Sequence, residues 1–149
     1  MNMINNSNID SARKAIKSCK EKPIIVRAQG DEFNRKILEY GSFDILVLPF
    51  FSSGKDSLRQ LDSGLNHVLA KIARENSVAI GLDLRELRNL SKAEKAEFLA
   101  RVRQNIVICR KAGAKLALLN YNDKIGAFFF LISLGASTQQ AKGAVFHKI

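Results

Sequence analysis

Histidine is nearly missing from this chain: His67 and His147 are the only two among 149 residues. A metal-dependent hydrolase needs several His and carboxylate ligands gathered at strand ends. Asp62 and Asp83 do not make up that set, and Asp62 reads best as a helix cap. Two cysteines, Cys19 and Cys109, lie far apart and outside any CxxC or Cys/His cluster, which excludes a structural zinc site and a disulfide framework. Such sparse use fits a reducing compartment. No GxSxG, CxxC or GxGxxG motif occurs. Gly54-Lys55 lacks the first glycine of a phosphate loop, and Asp56 stands where that loop needs Ser or Thr. The polar, Asn-rich stretch Met1–Asn8 has no apolar core of a signal peptide and is expected to be flexible. The longest apolar run, Ile125–Leu134, is half the ~20 residues that a membrane span requires. The expectation is a soluble, cytoplasmic chain with no membrane contact.

Acid is also scarce. There are 24 Lys and Arg against 14 Asp and Glu, a net charge of +10. Such an excess speaks to polyanionic partners rather than to fold. The hydrophobic share of 46% and the charged share of 26% are those of an ordinary globular domain, so residues 1–149 are expected to form one.

The apolar pattern alternates between helices and short strands. Asp10 or Ser11 is positioned to cap a helix through about Lys20, with Ala12, Ala15, Ile16 and Cys19 inward. Pro23 stops it. Ile24–Ala28 and Ile45–Leu48 read as buried strands flanking a helix that Gly30-Asp31 opens and Gly41 closes. Residues 50–61 read as a loop. A third helix starts at Asp62 or Ser63, with Leu65, Val68, Leu69 and Ile72 as its apolar stripe. Val78–Leu82 is a third strand. Ser91-Lys92-Ala93-Glu94 is a capping box. It opens a long helix with Phe98, Val102, Ile106 and Cys109 inward, and Gly113 closes that helix. Lys115–Leu119 is a fourth strand. An apolar helix follows over 124–134, and Ser137 caps a last short one. Strands buried on both faces and separated by helices predict a parallel α/β sheet, open or part of a barrel.

Function in such folds gathers at the carboxyl ends of strands. Here those ends carry Arg27 and Gln29, Ser52, Ser53 and Lys55, Asp83 and Arg85, and Asn120 and Asn122. From Arg85 to Lys115 nine basic residues face three acids, and no acid follows Asp123. Aromatics do not interleave with the basic residues, so base stacking is not the expected mode. Contact with phosphates of a structured RNA fits better.

Residues 61–71, Leu-Asp-Ser-Gly-Leu-Asn-His-Val-Leu-Ala-Lys, followed by 76–85, Asn-Ser-Val-Ala-Ile-Gly-Leu-Asp-Leu-Arg, resemble the archaeal ribonuclease P protein component 3 family. That family is related to the thirty-kilodalton subunit of the eukaryotic enzyme. The tail, Leu131-Ile132-Ser133-Leu134-Gly135 and then Gln140-Ala141-Lys142, is similar to the family's closing pattern. The resemblance implies a metal-free relative of the PHP phosphoesterase barrel. It also implies a protein subunit of ribonuclease P, whose RNA, with Mg2+, removes the 5′ leader of precursor tRNA. The implied partners are ribonuclease P RNA, protein component 2, the other protein components and, indirectly, precursor tRNA. A homo- or hetero-oligomer is implied too. No catalytic residue, metal ligand or bound cofactor is expected in this chain. The family begins with roughly two further βα units, and four or five strands do not close an eight-stranded barrel. An incomplete TIM-barrel-like sheet is therefore expected, open or with its edge covered by a neighbour. The RNA-binding candidates are Arg27, Lys55, Arg59, Arg85, Arg88, Lys92, Lys95, Arg101, Arg103 and Lys142. The partner-interface candidates are His67, Lys71, Phe128 and Phe129. Two other readings remain: a stand-alone metal-dependent phosphoesterase of the PHP/TIM-barrel superfamily, and a generic RNA-binding module.

Overall fold

The computed structural model describes residues 2–49 and 64–146. The loop expected over 50–61, and with it Lys55 and Arg59, lies outside them, as do Asp62 and His147. Five strands form one parallel sheet: β1 (Met3–Ile4), β2 (Ile25–Arg27), β3 (Ile45–Val47), β4 (Ala79–Asp83) and β5 (Leu116–Leu119). Their spatial order is their chain order. Between and after them run α1 (Ile9–Ser18), α2 (Asp31–Tyr40), α3 (His67–Glu75), α4 (Lys92–Ala112), α5 (Lys124–Ser133) and α6 (Thr138–Phe146).

Strand alternation assigns the two faces. Val26, Leu46, Ile80, Leu116 and Leu118 point to one side and join two clusters with side chains from the helices. Ile25, Ile45, Val47, Ala117 and Leu119 point to the other and pack among themselves. The helices thus cover one face, and the strand order never reverses. A doubly wound sheet needs a reversal and helices on both faces. The described sheet is therefore a partial, unclosed TIM-barrel-like arrangement.

Four sequence expectations are corrected. The expectation of four strands misses β1, which pairs Met3 with Ile25 and Ile4 with Val26. Two apolar residues among asparagines are too few to show a period. The first helix is capped not by Asp10 or Ser11 but by Asn8, whose Oδ1 accepts the N–H groups of both. It ends at Ser18 rather than Lys20. The third helix starts at His67, with Asn66 accepting the N–H of Leu69 at 2.9 Å. His67 is thus its first residue rather than a mid-helix one. Val68, read as part of its apolar stripe, is 55% exposed, and Ala70 and Ala73 fill the buried face beside Leu69. Alanines fit where helix and sheet approach closely, which a reading by large aliphatics overlooks.

The long helix follows its expected signals. Ser91 Oγ accepts the N–H of Glu94 at 3.2 Å, and Glu94 Oε1 accepts that of Ser91 at 3.1 Å. Gly113 closes it in the left-handed region at φ 77°. At the start of α6, Ser137 and Gln140 exchange the same reciprocal pair at 3.0 and 3.1 Å.

Candidate nucleic-acid interface

The carboxyl ends of β2 and β4 bring the expected rim residues together in ion pairs. Arg27 Nη1 donates to Glu86 Oε1 at 3.0 Å, and both side chains are largely shielded. Arg85 grips Asp83 through Nη2 and Nε, at 2.8 and 3.1 Å to Oδ2. The Arg85 backbone N–H donates to Asp83 Oδ1 at 3.0 Å, which starts a 3-10 turn over Leu84–Leu87. Asn120, in the left-handed region at φ 59°, donates Nδ2 to the same oxygen at 2.8 Å. Burial would raise the Asp83 carboxyl. The hydrogen bonds from Arg85 and Asn120 outweigh it and hold Asp83 below the ordinary carboxylate range. The same pairing raises Arg85. Two cations meet two carboxylates, so the charges of these four side chains cancel. Arg85 still exposes 55% of its side chain.

The next βα turn is fixed by a buried amide that the sequence reading did not single out. Asn34 Oδ1 accepts the N–H of Gln29 at 2.8 Å, and its Nδ2 donates to the Gln29 carbonyl at 3.2 Å. Gln29 in turn reaches Asn5 at 2.9 Å, tying the end of β2 to the segment after β1.

The other half of the chain carries cations of a different kind. Among the described residues every ion pair lies within residues 10–86. Arg88, Lys92, Lys95, Arg103, Arg110, Lys111, Lys115, Lys124 and Lys142 are exposed and none joins such a pair. Two of the carboxylates that could have met them are spent as caps: Glu94 on Ser91, and Asp123 on the N–H groups of Ile125 and Gly126. Lys92, Arg103 and Arg110 are 11 and 7 residues apart on α4, spacings that return to one side of a helix. Arg101 is a correction. It is 7% exposed and lines a cavity of about 40 Å³ with Phe98, Val102, Ile106 and Leu131. One turn beyond Phe98, it falls on the buried face, and its aliphatic stem packs there. Its burial sets it apart from the exposed cations of the same helix.

No protein-family model matches the chain. Among curated proteins it is 30% identical to ribonuclease P protein component 3 of Methanococcus maripaludis over 110 residues, 72% of this chain and 44% of the relative. It is 37% identical to the Methanosarcina mazei protein of that name over 95 residues, 64% of this chain and 36% of the relative. A chain in a cryo-EM structure of archaeal ribonuclease P with mature tRNA superposes with a TM-score of 0.74 at 25% identity, covering 95% of this chain and 62% of that one. The chain is a relative of ribonuclease P protein component 3. Its matched part spans less than half the length of these curated relatives.

Of the four residues proposed to face a partner in this component 3 relative, His67 and Lys71 are exposed on α3. Phe128 is half-buried and stacks edge-on against Phe129, ring centroids 5.3 Å apart. A helix as apolar as α5 needs cover on more than one side. The structure buries Ala127 and Leu131 and leaves Ile125 and Phe129 65% and 60% exposed. Among the described residues no three His, Cys, Asp or Glu side chains come together as metal donors. No described helix is long and apolar enough to cross a membrane. Burial pushes the Cys109 thiol up to about 12, so it carries essentially no thiolate at neutral pH. A thiol reagent on the native chain should therefore modify Cys19 alone, with Cys109 reacting after denaturation. Rapid native labelling of both sulfurs would show the α4–sheet contact to be looser than described.

Proposed function

We propose that the chain is a protein subunit of ribonuclease P, which supports the catalytic RNA in removing the 5′ leader of precursor tRNA. The observation that carries this reading is the segregation of charge on a component 3 relative. Among the described residues the ion pairs lie within residues 10–86, and the exposed cations Arg88, Lys92, Lys95, Arg103, Arg110, Lys111, Lys115, Lys124 and Lys142 join none of them. Unpaired surface cations cost self-repulsion in the folded state, which a bound polyanion relieves. The chain contributes no catalytic group in this reading. Arg88, Lys92, Lys95, Arg103 and Lys142 meet phosphates. Arg27 and Arg85 orient the rim, and Arg85 exposes enough of its guanidinium to reach RNA as well. Lys55 and Arg59, outside the described residues, are proposed as RNA contacts from the sequence alone. His67, Lys71, Phe128 and Phe129 face protein component 2 or another protein component. The cytoplasm is the proposed site of action.

The test is reconstitution. Ribonuclease P RNA with component 2 is assayed for precursor tRNA cleavage with and without this chain, and binding is followed against salt. With about six phosphate contacts, each releasing roughly 0.7–0.9 counterions, log affinity should fall with log salt at a slope near −4 to −5. No gain in cleavage together with a flat salt dependence would remove the proposal. Metal-dependent phosphoesterase turnover by the chain without RNA would replace it with the hydrolase reading.

A further inference from the structure

At the end of the sheet opposite the rim, a groove of about 350 Å³ runs between the end of α4, the start of β5 and the start of α6. Arg110 and Lys115 stand on its walls, with Ser137, Gln139, Gln140 and Gly143 on the α6 side. No carboxylate and no aromatic ring is among its described lining residues. The two cations are not held in ion pairs among the described residues. Arg110 is anchored by a different kind of bond: its Nη1 donates to the Gly135 carbonyl at 2.7 Å. That bond fixes the guanidinium across the groove and uses one of five N–H donors, leaving the rest of the fork to a ligand. Gln140 is spent on structure, its Nε2 on the Ile106 carbonyl at 3.0 Å and its Oε1 on the Ser137 N–H. A Cβ added at Gly143 would meet nothing within 4 Å.

We infer that this groove is a binding site for the phosphodiester backbone of an RNA strand. The inference rests on the proposed role in ribonuclease P and deepens it by adding a site that lies away from the barrel-type rim. Three observations favour an RNA backbone over a free nucleotide. The groove is wider than one phosphate needs. No aromatic ring among its described lining residues offers a base a stacking platform. The line of exposed cations on α4, Lys92 and Arg103, leads to Arg110, so a strand seated in the groove continues along the helix. Phosphate contacts of this sort fix position and carry no sequence.

The experiment measures binding of ribonuclease P RNA to the full chain and to Lys115→Ala, Gly143→Leu and Gly143→Ala. Lys115→Ala should weaken binding about three- to tenfold and lower the salt slope by about one unit. Gly143→Leu fills the groove without changing charge and should weaken binding about tenfold. Gly143→Ala leaves the groove open and should bind as the parent does, with Tm raised by about 2 °C because glycine is a poor helix interior residue. This last variant shows that position 143 tolerates a side chain. Acetylation of Lys115, read by mass spectrometry, should be blocked by the RNA and left unchanged by millimolar inorganic phosphate. Parent-like binding and slope in both Lys115→Ala and Gly143→Leu, with RNA binding intact, would overturn the groove and leave the ribonuclease P role standing. Protection of Lys115 by phosphate and not by RNA would make it a small-anion site and likewise overturn the inference. Failure of the parent chain to bind the RNA at all, even beside component 2, would remove the ribonuclease P role itself.

Discussion

Gly81→Val should be among the most damaging single substitutions in this chain, lowering stability by roughly 3 kcal/mol, with overpacking and forced backbone shift adding together. Gly81 lies in β4 and pairs with Val47 of β3. A Cβ built there would sit 2.5 Å from Ile45 Cγ2 and 3.1 Å from Val47 Cγ2. Both neighbours are essentially inaccessible to solvent, and both are β-branched. Their side chains have few alternative rotamers, so neither swings away at small cost. The glycine is the gap into which they pack, and the close fit of the sheet face opposite the helices depends on it. A loss of this size lowers Tm by about 6–12 °C in a domain of this length. Gly81→Ala should cost less, about 1–2 kcal/mol. Its cost should shrink when Ile45→Ala removes the clashing methyl, giving a coupling of at least 0.5 kcal/mol in a double-mutant cycle. Strict additivity of the two changes, read by urea unfolding, would mean that the clash is not the cause.

The same glycine shows where sequence reading stops. The run Val78–Leu82 was legible as a strand because its apolar residues are continuous and bounded by turn signals, and the observed strand is shifted by one residue. That Gly81 is a packing gap depends on Ile45 and Val47, more than thirty positions away. No local pattern carries that relation. The capping box at Ser91 and the cap at Ser137 were legible because their signals are local in the chain, whereas the reciprocal bond from Gln140 to Ser137 emerged only in the structure. Asn8 and Asn66 as caps were hidden among other capable residues nearby. At the candidate interface, the charge excess and its bias toward the later half were visible in composition. The distinction between paired and unpaired cations was not. Arg27 and Arg85 looked equivalent to Arg103 on the chain, yet Glu86 and Asp83 hold the first two at the rim. Arg101 looked like its neighbours until its angular position on α4 placed it beside Phe98. Arg110 and Lys115 were counted in the charge and not singled out, because the groove they share with α6 is built from segments about 25 residues apart.

Asp83→Ala should cost about 2 kcal/mol at neutral pH, since it removes an acceptor that serves Arg85 and Asn120 at once, with hydrogen bonds to charged groups worth about 1.5–3 kcal/mol each. The lower part of that range applies, because Arg85 is more than half exposed and regains water when its partner is lost. Asp83→Asn should cost less, about 1 kcal/mol, because one oxygen remains to accept the Arg85 backbone N–H or the Asn120 amide. The pH dependence separates charge from shape. The native Asp83 carboxyl is held below its ordinary value, while in the unfolded chain it titrates near 3.9, roughly the model-peptide figure. A lowered native pKa means that the unfolded state binds the proton more readily. The contribution is therefore complete above about pH 5, and it fades as pH falls past 4 and through the native value. The stability gap between the parent chain and Asp83→Asn should be widest near pH 7 and narrow toward pH 3. Taking the difference cancels the titration of every other carboxylate common to both. A gap of constant size across that range would show that Asp83 acts through shape and hydrogen bonding alone. Arg85→Ala supplies the complementary arm. It should reproduce most of the pH-dependent loss, because the Arg85 guanidinium contributes most to holding the Asp83 carboxyl down against its burial. If Arg85→Ala instead left stability and its pH profile unchanged while weakening RNA binding, the guanidinium would be serving the RNA and not the carboxylate it touches here.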